Sequence, residues 1–249
     1  MWQAFKLWFH QWGSPPVFYR RSARWIPWLW LLALLPAGPG LYQALFVVPS
    51  DYLQGDSYRI LFIHVPSAWM SMMIFVMMAL LAAIGLVWRI RTAEILAMAS
   101  APIGAAFTLV TLLTGSLWGR PTWGTYWQWD GRMTSELILL FLYAGVIALY
   151  RAIEDRRQAA RAAGLLAVIG VVNIPIIHYS VQWWTTLHQG STIKLTGPST
   201  IDPSMLPPLL MLIVASKFFY AANLLSRARL ELYEQDRQKD WVRKRFAGN

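Results

Sequence analysis

The sequence predicts an all-α integral membrane protein with six transmembrane helices. Both termini should lie in the cytoplasm, with a tryptophan-rich loop outside between helices 3 and 4. Three observations carry this reading. Of 249 residues, 57% are hydrophobic and only 14% are charged, whereas a soluble domain carries roughly 25% charged residues. Six apolar runs approach the ~20 residues that a bilayer demands. Lys and Arg fall almost wholly on one side of those runs, and basic residues stay inside.

Residues 1–24 form a cytoplasmic N-terminal segment. Its start, "MWQAFKLWFHQWG", sets Trp2, Phe5, Trp8, Phe9 and Trp12 at helical spacing. That pattern reads as an amphipathic helix on the membrane surface or as a disordered tail. The membrane domain covers 25–225, with spans over about 25–48, 60–88, 94–117, 135–150, 164–184 and 205–225. The fourth is short, so its ends should lie beyond these bounds. No small-residue cleavage pattern follows the first run, so a cleavable signal is not expected. Residues 226–249 form a basic cytoplasmic tail, a solvated charged helix that anchors topology or touches a partner.

The basic residues orient the chain. Those before the first span and after the second, fourth and sixth number 17, against 4 on the other side: Arg59, Arg120, Arg132 and Lys194. Lys217 lies inside the last span. The net charge of +10 is therefore accounted for by cytoplasmic loops and calls for no nucleic acid. With no cysteine, disulfides, thiolate ligands and Cys nucleophiles are excluded.

Three segments face outward, about 49–59, 118–134 and 185–204. The middle one contains "WGRPTWGTYWQWDGR". Trp118, Trp123, Trp127 and Trp129, with Tyr126, supply a broad π surface, and Gly119, Gly124 and Gly131 permit close backbone approach. Two readings remain open on composition: an aromatic belt at the headgroups, or a platform for a large flat apolar ligand.

The histidines bear on that choice. His64, in "RILFIHVPSAW", sits near the outer end of the second span, and His188, in "QWWTTLHQGS", lies just past the fifth. Span parity brings both to the face that carries the tryptophans. Each can be an ordinary surface histidine. Together they can supply two axial imidazoles to a haem iron. Arg59, Arg120 and Arg132 can each pair with a propionate, Arg120 being the weakest candidate. Asp130 should orient the loop rather than touch the haem, because a carboxylate beside a propionate is repelled. His178 sits deeper in the fifth span, where an interhelical hydrogen bond outranks a ligand role. His10 is cytoplasmic and is set aside. No P-loop, H-E-x-x-H, G-x-S-x-G or C-x-x-C-H motif occurs, so ATP binding by that route and covalent c-type haem are not expected.

"WGTYWQWDGR" resembles the WWD motif of haem-handling proteins, with Tyr126 where many members carry tryptophan. The flanks "SYRILFIHVPSAWMSM", "TSELILLFLYAGVIAL" and "VVNIPIIHYSVQWWTTLHQGST" are similar to the CcmC family, haem exporter proteins of the cytochrome c maturation system. The resemblance runs from about residue 15 to 205 and is weaker over the last span and tail. It implies a six-span protein of the bacterial inner membrane with the WWD loop periplasmic. It also implies haem b held non-covalently there, with His64 and His188 as the axial pair. The implied partners are the chaperone CcmE, which receives the haem, the ABC subunits CcmA and CcmB, and the small membrane subunit CcmD. The reading this favours is binding and presentation, not catalysis. A haem-translocating permease is the runner-up, and a haem lyase the third.

Overall fold

The computed structural model describes residues 13–184, 186–188 and 201–246. The proposed N-terminal amphipathic helix, together with His10 and Lys194, lies outside the described residues. The described chain is helical, and six of its helical segments are long and apolar enough to cross a membrane. They are Pro15–Val47, Asp56–Trp88, Arg91–Trp123, Gly131–Ala152, Arg156–Trp183 and Leu206–Asp236.

Helix α1 is Pro15–Tyr42, followed by a wider π-turn at Gln43–Val47. It starts ten residues before the apolar run because two prolines open it, where a missing N–H costs nothing. A short 3₁₀ turn, Asp56–Ile60, leads into α2, Leu61–Trp88. Helix α3 is Arg91–Trp123 and α4 is Gly131–Ala152. The short fourth run thus extends at both ends, as expected. The fifth span is broken into α5, Arg156–Gly170, and α6, Asn173–Trp183. Pro175 offers no N–H to Val171, which is where the ladder turns. Helix α7 is Leu206–Asp236 and α8 is Asp240–Phe246.

The core joins α2 to α7. Met70, Ile74, Phe75 and Met78 of α2 meet Ala97, Met98 and Ala101 of α3, Leu139, Tyr143 and Val146 of α4, and Tyr220 of α7. Small residues on α5 (Ala160, Ala163, Ala167) let it approach closely. Helix α1 packs chiefly along α7, with Trp30 edge-on to Phe219 at 5.4 Å.

The tightest point is Gly104 on α3. A methyl group there would overlap the ring of Tyr143. That ring cannot retreat, because its O–H donates to Ser71 O at 2.7 Å and its face meets Phe75 at 5.0 Å. Gly104→Ala should therefore destabilise the bundle by about 1–3 kcal/mol. A thermal melt in detergent measures this; an unchanged midpoint would show that α3 and α4 can slide apart.

The basic tail is less separate than its composition suggests. Its first half continues α7, and the buried Asp236 accepts from Arg91 at 2.6 Å, Lys239 at 2.8 Å and Trp241 Nε1 at 3.0 Å. Asp236 thus ties the end of α7 to the start of α3.

Candidate functional site

The tryptophan-rich segment is half helix. No glycine able to stop α3 occurs between Gly119 and Gly124, and the chain turns only at Gly124, with φ of 79° in the left-handed region. Trp118 and Trp123 therefore stand on the last turns of α3, while Trp127 and Trp129 lie on the short link to α4. Arg120 donates to Gly124 O and lies 5.6 Å from the Tyr126 ring. It braces this turn. Trp127 and Trp129 meet edge to face at 5.3 Å. Trp129 is 74% exposed and Tyr126 is 57% exposed, whereas the Trp127 indole N–H is buried without a hydrogen-bond partner among the described residues.

His64 lies one turn into α2, beside the end of α3. Its Nδ1 is 3.0 Å from Thr114 Oγ1. That hydroxyl donates its own hydrogen to Val110 O at 2.6 Å, so it can only accept from the imidazole. Nδ1 therefore carries the proton and Nε2 carries the lone pair. Gly115 gives the ring room, since a Cβ there would meet His64 Cε1 at 3.0 Å. Trp118 closes one side, edge-on at 5.8 Å, and its indole N–H donates to Gln54 Oε1 at 2.7 Å.

His188 is braced the same way by a different device. Asp130 is the N-cap of α4, its Oδ1 accepting from Met133 N at 2.8 Å. Its Oδ2 accepts from the Thr186 hydroxyl and from His188 Nδ1, the latter at 2.8 Å. Burial alone would raise the Asp130 pKa. The bonds from Thr186, Met133 N–H and His188 outweigh it, so the carboxyl sits below the usual range and stays ionised. Burial also lowers the pKa of His188, against the upward pull of Asp130, and keeps the ring neutral. Trp123 stands edge-on to His188 at 4.7 Å. Gly131 lets this corner close, because a Cβ there would press on Trp184 at 3.0 Å.

Both imidazoles are thus held by Nδ1, and neither Nε2 has a hydrogen-bond partner among the described residues. Each ring rests against a tryptophan of the same stretch of α3. Arg132, in the first turn of α4, is close enough for its charge to act on both. Its Nε is buried without a hydrogen-bond partner among the described residues. Two unused imidazole nitrogens, an orphaned indole N–H and an orphaned guanidinium N–H fit a flat ligand with a metal centre and anionic edges. Among the described residues no group of three His, Asp or Glu could hold a bare metal ion.

Two further residues singled out in the sequence, Arg59 and His178, make their contacts elsewhere. Arg59 donates to Ala44 O at 2.5 Å, to Val48 O at 3.0 Å and to Asp56 Oδ1 at 3.0 Å. It caps the carbonyls that the π-turn after α1 leaves open. His178 is exposed on α6 and meets Tyr179 ring to ring at 4.8 Å. The interhelical bond expected of it is made instead by Asn173, which donates to Ser135 O at 2.9 Å. Composition singled out neither Thr114 nor Thr186; for Thr114 the one local signal is the adjacent Gly115, which admits the His64 ring.

Fold and site define an integral membrane protein with six membrane-length helical segments and, at one end, a pair of braced imidazoles in a tryptophan frame. The family model of heme exporter protein C matches residues 8–243. A heme exporter protein C from Escherichia coli K12 is 49% identical over 233 residues, 94% of each chain. One from Haemophilus influenzae is 46% identical over 95% of this chain and 96% of its own. A ccmC-like mitochondrial protein of cytochrome c biosynthesis from Marchantia polymorpha is 43% identical over 81% of this chain and 83% of its own. The chain belongs to the heme exporter protein C family.

Proposed function

We propose that this chain holds and presents haem for cytochrome c maturation, as a non-catalytic subunit in the bacterial inner membrane. Haem b binds non-covalently at the periplasmic end, with His64 and His188 on opposite faces of the iron. The carrying observation is the matched bracing of the two imidazoles through Nδ1, which leaves both Nε2 atoms for a metal. Trp118 and Trp123 frame the two imidazoles, and Trp127 adds apolar surface beside them. Trp129 and Tyr126, exposed beside the site, offer the surface on which a haem-accepting chaperone such as CcmE docks. CcmA, CcmB and CcmD are the remaining partners. Residues 25–225 are the membrane domain, and 1–24 and 226–249 face the cytoplasm.

Two measurements test this. The purified chain should carry haem with a bis-imidazole optical spectrum; haem-replete cells yielding a chain that takes up none would defeat the reading. Reporter fusions after residue 127 should act as periplasmic reporters, and fusions after residue 155 should not. The reverse pattern would place the site on the wrong side.

The arginines should separate. Arg132 has a buried N–H with no partner among the described residues, and a charged hydrogen bond is worth roughly 1.5–3 kcal/mol. Arg132→Ala should weaken haem retention by about tenfold or more while the axial spectrum persists. Arg59→Ala should instead lower thermal stability, because it strips the carbonyls of Ala44 and Val48. Titration with haem and a thermal melt on both variants distinguish the roles; equal retention in Arg132→Ala and the wild type would remove Arg132 from the site.

A further inference from the structure

The opposite end of the bundle holds a cavity of about 300 Å³ that the haem site does not use. It lies between α3, α4 and α7. Arg151 ends α4, Arg156 begins α5, and Arg227 comes from α7, where Glu231 and Glu234 also line the wall. Among the described residues none of the three guanidiniums is ion-paired with a carboxylate. Arg156 lies against the Tyr150 ring at 5.4 Å, and Glu231 accepts from the Tyr150 hydroxyl at 2.7 Å. Below this charged mouth the floor is apolar, made by Met98, Pro102 and Ile147.

The depth of the cavity is as telling as its charge. Arg227 lies about 30 Å along α7 from Leu206 at ~1.5 Å per residue, one hydrocarbon thickness. Arg151 and Arg156 flank the turn that closes the fourth and fifth spans. The mouth is therefore at headgroup level and the floor in the hydrocarbon. A basic pocket between helices at that depth suits a lipid phosphate. The two carboxylates narrow the choice further. A purely anionic headgroup would meet Glu231 and Glu234 as like charges, and a quaternary ammonium could not donate to them.

We propose that this cavity binds a phospholipid whose headgroup carries both a phosphate and a primary ammonium, as phosphatidylethanolamine does. Arg151, Arg156 and Arg227 take the phosphate. Glu231 and Glu234 take the ammonium. The first acyl methylenes lie along Met98, Pro102 and Ile147. The site is independent of the haem reading, since it shares no residue with it.

Native mass spectrometry of the full chain in detergent tests this, using an equimolar mixture of phosphatidylethanolamine, phosphatidylglycerol and phosphatidylcholine with identical acyl chains. Phosphatidylethanolamine adducts should exceed each of the others by at least about fivefold, and Arg151→Gln/Arg227→Gln should cut them about tenfold, as loss of charged hydrogen bonds implies. Glu234→Gln should move the preference toward phosphatidylglycerol. Soluble glycerophosphoethanolamine, which has no chains, should fail to compete. Equal retention of all three lipids by the wild-type chain would overturn the proposal, as would a preference for phosphatidylglycerol, displacement by the soluble headgroup, or full retention in the double variant. Melting of each variant in lipid-free detergent checks its fold, and the wild-type selectivity needs no variant.

Discussion

Removing either His64 or His188 is expected to strip the chain of its haem. Each variant keeps one imidazole, so the iron loses one of two strong-field ligands and half of its anchorage. Loss of a group that merely orients a ligand costs about 10–100-fold in metal affinity; loss of the ligand itself should cost at least the upper end of that range. His64→Ala and His188→Ala should therefore purify with little haem, and what remains should lack the bis-imidazole spectrum. Added imidazole should restore part of it, because each substitution leaves a ring-shaped space beside a tryptophan edge, Trp118 for His64 and Trp123 for His188. His178→Ala is the internal control: that ring is exposed on α6 and packs on Tyr179. If both axial variants kept a bis-imidazole spectrum without added imidazole, the assignment would be wrong and His178 would be tested next. If the spectrum changed in His64→Ala alone, His188 would be reduced to a wall of the site.

The histidines were legible in the sequence because membrane topology is one-dimensional. Hydropathy finds the spans and parity decides which residues share a face, with no need of tertiary structure. What parity cannot supply is the partner of each ring. Thr114 is 50 residues from His64, and Asp130 is 58 from His188; only packing brings them within bonding distance. The same limit explains Arg59. From sequence it is an outward arginine five residues before His64. In the structure its donors go to carbonyls opened by a π-turn that nothing in "QALFV" announces. The tryptophan segment was misjudged for a local reason. Aromatic, glycine-flecked sequence reads as loop, yet Pro121 is tolerated within the final turn and α3 runs on to Trp123. That extension sets Trp118 and Trp123 on the helix and leaves Trp127 and Trp129 on the short link to α4. The division of one motif into a helical half and a linking half follows from where a single glycine adopts positive φ.

Asp130 should be the residue whose substitution separates folding from haem binding. It does two jobs with two oxygens: Oδ1 caps α4 and Oδ2 holds His188. Asp130→Ala removes both, so α4 should lose about 0.5–2 kcal/mol of capping and His188 should lose its orientation. Asp130→Asn is the more informative change. The amide keeps the volume, and its oxygen can still cap Met133. Its NH₂ then faces His188 Nδ1 and donates where the carboxylate accepted. The imidazole must respond by placing its proton on Nε2, the atom the iron needs. The alternative amide orientation restores the bond to Nδ1–H but turns the NH₂ toward Met133 N–H and loses the cap. No orientation satisfies both. Asp130→Asn should thus melt near the wild-type midpoint while retaining haem about 10–100-fold less tightly, with His64 still contributing its single ligand to the spectrum. Asp130→Ala should lose both stability and haem. Haem titration beside a thermal melt, on the wild type and the two variants, reads the two jobs separately. Wild-type haem retention in Asp130→Asn would show that the His188 tautomer is set by something other than this carboxylate, and would leave Asp130 as a helix cap alone.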